Sequence, residues 1–424
     1  MRAAMADSLT APFGIPIEFL LFVLMLLGIA LFHKRSLEIG VAGLLIILAF
    51  EAFVTAFPTG TGWGALLLHL EHEWVLITNL LLLLIGFEVL SNQFERSNIS
   101  DRLPNLLPDD WTGGLMLLAI VFVLAAFLDN IAAAVLGGVM ARHVYRGRVG
   151  VAFLAAIVAS SNAGGAGSVI GDTTTTMMWL NGVSPLTVLP AYLAAVPAFL
   201  VFGPLGALAQ HRFQPILAHD LPDRPLHWRQ IWIVAFILVV AVAANVLATS
   251  LSDGEEHAPW LGLALWAAIL LTSLISKPDW SVTGHGAKGA FFLVSLVAAA
   301  SLMPLKGLPD PSWQTTFSLG FLSSVFDNIP LTALALRQDG YDWALLSYAV
   351  GFGGSMVWFG SSAGVALTNF YPEGRSVMRW VKEGWFVPVG YVAGFLVMLL
   401  ILGWNPSAAK GGQPGAVAPL STHP

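Results

Sequence analysis

Apolar runs long enough to cross a bilayer recur along this chain from Ile17 to Leu402, and they exclude any fold whose whole surface faces water. A hydrocarbon core about 30 Å thick needs roughly 20 such residues in a helix, with every backbone group inside it paired. Plain spanning stretches read at about 17 to 33, 37 to 57, 74 to 95, 184 to 210, 229 to 251, 258 to 276, 288 to 306 and 383 to 404. Composition agrees, since 57% of the 424 residues are hydrophobic and only 10% charged, against about 25% charged in a soluble domain. A soluble enzyme held by one anchor is excluded. There is no cysteine, which removes disulfides, thiolate zinc sites and Cys-ligated clusters. No cofactor is expected. The net charge of -6 offers no basic face for nucleic acid. The first apolar run is followed, not preceded, by His33, Lys34 and Arg35, so it reads as a retained first helix with the N-terminus outside.

Four further segments are apolar at their ends but polar and glycine-rich within: 112–141, 149–182, 312–337 and 342–372. They form a repeat. Phe127-Leu128-Asp129-Asn130-Ile131-Ala132 recurs as Val325-Phe326-Asp327-Asn328-Ile329-Pro330. The block running from Asn162 through Gly164, Gly165 and Gly171 to Asp172-Thr173 recurs from Gly351 through Gly353, Gly354 and Gly360 to Ser361-Ser362. Each half therefore reads as three helices, a segment centred on Asp-Asn, a glycine-interrupted segment and one more helix. The halves lie near 14–210 and 229–405, and 406–424 reads as a disordered tail.

If the Asp-Asn segments are re-entrant hairpins and the glycine-interrupted segments cross, each half crosses five times and the second half is inverted. That arrangement places Lys34, Arg35, Arg96, Arg102, Arg142, Arg146, Arg148, Arg212, Arg224, Arg229, Lys277, Lys288, Arg375, Arg379 and Lys382 on one side. Only Arg2, Lys306, Arg337 and Lys410 fall on the other. The excess marks the richer side as cytoplasmic. The expected fold is an all-α polytopic membrane protein of two inverted repeats, each with a re-entrant hairpin and a broken transmembrane helix, with both termini outside a bacterial inner membrane.

Irregular backbone at membrane depth is tolerated only where it is buried in protein or lines a polar cavity. The run Gly164, Gly165, Gly167, Ser168, Gly171, Asp172, Thr173, Thr174, Thr175, Thr176 is a poor helix interior, so an unwound stretch is expected there. Such stretches, with half-helix ends at the midplane, are how inverted-repeat transporters build ion sites. Asp129, Asp172 and Asp327 sit in otherwise apolar segments, each costing about 2.5 to 3.5 kcal/mol on insertion scales. With no basic residue inside the membrane segments, these acids must be protonated, hydrated, capping helices or holding a cation. Alternation between a proton and a metal cation is what an antiporter needs. The candidate proton and cation site is therefore Asp129, Asn130, Asp172, Thr173, Thr174, Asp327, Asn328, Ser361 and Ser362, with backbone at Gly164, Gly165, Gly171, Gly353, Gly354 and Gly360.

The stretch from Asn162 to Trp179 closely resembles the signature of NhaD-type sodium/proton antiporters, and the two Asp-Asn-Ile segments and Gly360-Ser361-Ser362-Ala363-Gly364-Val365 fit the same family. Its wider relatives include arsenite, citrate and dicarboxylate carriers. The resemblance implies an elevator-like transport domain built on the hairpins, Na+ and H+ as substrates, and a homodimer in membrane lipid. Carboxylate-carrying relatives have Ser-Asn-Thr at the hairpin tip, so Asp129-Asn130-Ile131 and Asp327-Asn328-Ile329 favour a cation over an anion. Sodium is expected at Asn130, Asp172, Asn328 and Ser361. One half-site is expected to join Asn130, Asp172, Thr173 and carbonyls near Gly165, and the other Asn328, Ser361 and Ser362. Asp172 ranks first as proton carrier and Asp327 second.

Other acids weigh less. Glu18, Glu51 and Glu88 fall in or near helices, and Glu88 is the best functional candidate of the three. His69, Glu71, His72 and Glu73 have ligand chemistry but not the His-Glu-x-x-His spacing, so a solvated face is expected. Asp129 and Asp327 could be simple helix caps. Sodium-coupled uptake of a carboxylate or oxyanion is the alternative function. An intramembrane aspartyl hydrolase is a poorer one, because Val169-Ile170-Gly171-Asp172 and Leu128-Asp129 lack the Gly-x-Gly-Asp and Tyr-Asp pair it needs.

Overall fold

The computed structural model describes residues 16–32, 35–54, 62–98, 107–216, 225–251, 258–304 and 308–407. Arg2, His33, Lys34, Arg102, Arg224, Lys306, Lys410, the His72 side chain and the tail from 408 onward lie outside the described residues.

The described chain is all-helical. The first half holds α1 (Ile17–Leu31), α2 (Ser36–Phe53), α3 (Gly62–Glu95), α4 (Trp111–Ala125), α5 (Asn130–Val144), α6 (Val151–Gly165), α7 (Thr173–Leu180) and α8 (Tyr192–Phe213). The second holds α9 (Trp228–Leu251), α10 (Trp260–Ser273), α11 (Thr283–Ser301), α12 (Trp313–Ser323), α13 (Asn328–Ala335), α14 (Trp343–Gly353), α15 (Ser362–Phe370), α16 (Val377–Glu383) and α17 (Phe386–Leu402). All four polar segments break into two helices, and the breaks fall at the Asp-Asn and glycine blocks.

Among the described residues, four helices are long and apolar enough to cross a membrane alone: Ser36–Phe53, Glu73–Phe94, Pro185–Phe213 and Trp280–Ser301. The pair α16 and α17, bent by 59°, adds a fifth. This is fewer than the eight plain helices expected. The stretch read at 258–276, for example, ends as helix at Ser273, giving about 21 Å at 1.5 Å per residue. Conversely, α3 begins at Gly62, well before the expected residue 74, and runs for 34 residues.

Packing sorts the helices into two groups. In one, α11 lies on α2 and α3, α10 on α3 and α9, and α1 on α2. In the other, α6 and α14 are buried on nearly every side, and α4, α5, α8, α12, α15 and α17 surround them. A helix apolar all round belongs at the centre of a bundle, and small residues let its neighbours close in. The longest contact, α8 against α17, places Gly390 and Gly394 beside the carbonyls of Ala198 and Ala194. Tyr348, Phe352 and Tyr391 stack at ring separations of 5.5 to 6.2 Å, and Tyr348 donates to Tyr391 O at 3.0 Å.

Outward faces carry exposed Leu24, Leu45, Leu67, Leu274, Leu400 and Ile401, with Trp228, Trp232, Trp260 and Trp385 also exposed. Such apolar faces suit lipid, and tryptophans of this kind suit its interfaces. At the head of α4, Asp110 accepts from Thr112 N at 2.9 Å, and the Thr112 hydroxyl holds the exposed carboxyl below the usual carboxylate range.

Candidate cation and proton site

The two helix breaks at Asp129 and Asp327 share the sequence Asp-Asn-Ile and differ in local structure. The repeat does not extend to the surroundings of the carboxylates: Asp327 caps α13, accepting from Ile329 N at 3.3 Å and from the Ser362 hydroxyl at 2.9 Å. Asp129 occupies the cap position of α5 yet makes no side-chain cap hydrogen bond. The structural reading of these acids as simple caps thus fits Asp327 and not Asp129.

Between α6 and α7 the chain is unwound over residues 166–172, and hydroxyls satisfy its carbonyls. Thr175 donates to Ser168 O at 2.5 Å and Thr176 to Val169 O at 2.7 Å. Ser168 donates to Ala126 O at 2.7 Å, Tyr192 to Gly164 O at 2.9 Å, and Ser347 to Ala166 O. The string of β-branched hydroxyls therefore supports the break that it helps to cause.

The expected backbone glycines are points of close approach. A Cβ on Gly164 would lie 2.0 Å from Phe122 O, and one on Gly353 would lie 2.1 Å from Gly320 O. Gly171 meets Ala125 O at 1.9 Å and Gly360 meets Ser324 O at 2.5 Å in the same way. Gly165 and Gly354 press on the carbonyls of Gly171 and Gly360, at 2.6 and 2.7 Å. The α6–α7 break is thereby seated against α4, and the α14–α15 break against α12.

At the centre, Asp172 is 1% exposed and begins α7. Its Oδ1 accepts from Thr174 N at 3.3 Å and from Asn328 Nδ2 at 3.4 Å, and its Oδ2 accepts from the Thr174 hydroxyl at 2.8 Å. Asn130 donates instead to Asn162 Oδ1 at 3.1 Å, and Asn162 Nδ2 donates to Ser355 at 2.9 Å and Ser361 at 3.1 Å. The expected half-sites are exchanged. Asn328 goes with Asp172, and Asn130 goes by way of Asn162 with Ser361. The exchange follows from helix packing across the halves, α13 on α7 and α5 on α15. Asn162 and Ser355 were absent from the expected site. The available signal was register, which sets the buried polar Asn162 opposite Gly351 in the repeat.

A cleft of about 770 Å³ runs between the two helix groups, lined by Glu38, Glu88, Asn92 and Lys288 and also by Asp129 and Thr173. Of the three lesser acids, Glu88 shares this cleft with Asp129. Glu51 is buried at the end of α2, with Oε2 lacking a hydrogen-bond partner. His69 is not on the solvated face expected from sequence. It is buried and within 3.1 Å of the Ser301 hydroxyl, because α3 packs against α11 there.

No family model matches the sequence. Sodium/proton antiporter 1 of Arabidopsis thaliana is 24% identical over 415 residues, covering 87% of this chain and 69% of the relative. Sodium/proton antiporter 2 of the same plant is 23% identical over 425 residues, covering 88% and 97%. The Na(+)/H(+) antiporter NhaD of Vibrio parahaemolyticus is 26% identical over 394 residues, covering 77% and 90%. The resemblance read from the glycine and Asp-Asn blocks is borne out by these relatives.

Proposed function

We propose that this chain is a Na+/H+ antiporter of an integral membrane type, exchanging Na+ or Li+ for H+ at Asp172 as the hairpin-bearing helix group moves against the other in an elevator-like step. The observation that carries the reading is Asp172: a buried carboxylate held by an amide and a hydroxyl, with no basic side chain hydrogen-bonded to it among the described residues. A carboxylate so placed is neutralised either by a proton or by a cation, and competition between the two couples their movements. Hard oxygen ligands suit Na+. Asp129, uncapped and in the cleft, is the second proton carrier in this reading, ahead of Asp327, whose oxygens are taken by Ile329 and Ser362.

The direct test is the purified protein in liposomes with an internal pH dye, pulsed in turn with Na+, Li+, K+ and citrate. Na+ and Li+ should move protons, and K+ and citrate should not. A proton or sodium response to citrate alone would replace exchange by sodium-coupled carboxylate uptake.

The same reading takes the halves 14–210 and 229–405 as inverted repeats with re-entrant hairpins, and the protein as a homodimer in a bacterial inner membrane. Because the chain has no cysteine, single cysteines report its sidedness directly. A probe at residue 415 should label only from outside and one at 220 only from the cytoplasm. The reverse pattern, or both on one side, would sink the inverted topology.

A further inference from the structure

The repeat brings two polar pockets together, and one pair of positions makes them unequal. In register, Asp172 stands opposite Ser361, Gly165 opposite Gly354, and Asn162 opposite Gly351. Asn162 reaches across to the other half, and its amide is fully engaged. Its nitrogen donates to Ser355 and Ser361, and its oxygen accepts from Asn130. Asn130, Asn162, Ser355 and Ser361 are all buried. An amide nitrogen with its partial positive charge thus sits between two side-chain oxygens, those of Ser355 and Ser361.

The mirror position carries no side chain. A Cβ built on Gly351 would have one heavy atom within 4 Å, outside its own helix and chain neighbours: Asp172 Oδ2, at 2.8 Å. Apart from that oxygen, which a Cβ would crowd, nothing else beyond the helix's own backbone and chain neighbours comes within 4 Å of this point, on the side where the other half places an amide. Asn328 holds the opposite oxygen, Oδ1.

We infer that this protein carries one alkali-cation site per chain, in the gap over Gly351 beside Asp172 and Asn328, and that the Asn162 amide permanently fills the pseudo-symmetric second site as an uncharged substitute for an ion. The inference rests on the exchange reading above and deepens it, by giving the number of ions and the residue that leaves room for them. Gly351 is then a specificity position, set by the volume it leaves, and Asn162 a positioning residue that ties the two halves at fixed separation.

Equilibrium binding of radioactive ²²Na+ to the purified full-length protein should give one ion per chain and a hyperbolic curve. Gly351→Asn copies the arrangement of the other half, with an amide aimed at Asp172 Oδ2. It should lower apparent Na+ affinity at least tenfold in a protein that remains monodisperse. Gly351→Ala, a smaller intrusion, should lower it severalfold and serves where the larger variant does not fold. Two ions per chain, a sigmoidal curve, or a folded Gly351→Asn protein with unchanged affinity would overturn the inference. Wild-type protein that binds one Na+ but moves no protons would remove the exchange reading while leaving the single pocket standing, so the two failures are told apart.

Discussion

Asp172→Asn is expected to reduce sodium-driven proton movement by more than about 100-fold, the scale on which loss of the principal proton-exchanging group is felt. The substitution is nearly isosteric. An asparagine oxygen can still accept from Thr174 N and keep the start of α7 capped, and the Thr174 hydroxyl, now a donor to Asp172 Oδ2, can turn to accept from the new amide. What disappears is the charge, so the folded protein should survive while the pH-dye signal in liposomes is lost across the neutral and mildly alkaline range. Asp129→Asn should slow exchange by about tenfold as a weakened relay, and Asp327→Asn should do least. Full exchange in both Asp172→Asn and Asp129→Asn would place the coupling elsewhere and make sodium-coupled anion uptake the leading account.

Gly164→Ala and Gly353→Ala should each prevent normal folding, at a cost of about 3 kcal/mol or more, the upper range for forcing atoms into a packed core. The new methyl group would meet a backbone carbonyl at 2.0 Å in one case and 2.1 Å in the other, and a backbone oxygen cannot swing aside as a flexible side chain can. The whole hairpin would have to move off its broken helix. Gly284→Ala is the matched control, since nothing lies within 4 Å of its Cβ. It changes a glycine in the first turn of α11 and should leave stability within about 0.5 kcal/mol of the wild type. Thermal melting and size-exclusion profiles in detergent separate the outcomes, and a Gly164→Ala protein that melts with the wild type would show that the hairpin contact is soft.

Much of the helix pattern was legible because its signals are local. An Asp-Asn, or a run that combines several glycines with a string of hydroxyls, breaks a helix locally, and the breaks at 126–129 and 166–172 follow from that, whereas the bare pairs Gly113-Gly114 and Gly137-Gly138 stay helical. The pairing of residues across the halves was not legible, because it depends on which second helix packs on which, α13 on α7 and α5 on α15. The difference between Asp129 and Asp327 was hidden for a similar reason. Both follow an apolar pair and precede Asn-Ile, and only in three dimensions does Ser362 reach Asp327 while its counterpart Thr173 faces the cleft with Asp129. Asn162 is inconspicuous in the sequence, because one amide in a helix of Ala, Val and Ser carries no periodic signal. Its place opposite a glycine was visible, but its meaning required the structure.

The exchanged pairing bears on how the protein is made. A ribosome delivers the N-terminal half first, with its carboxylate at Asp172 already in place, but Asn328 emerges 156 residues later. Until then Asp172 has only Thr174 to hold it, and Asn162 faces no Ser355 or Ser361. The nascent first half must therefore wait in the membrane with unsatisfied polar groups at its centre, retaining water or a chaperone's contacts there. A chain truncated after α8 should be recognised by quality-control proteases as unfinished, however well its own helices have formed.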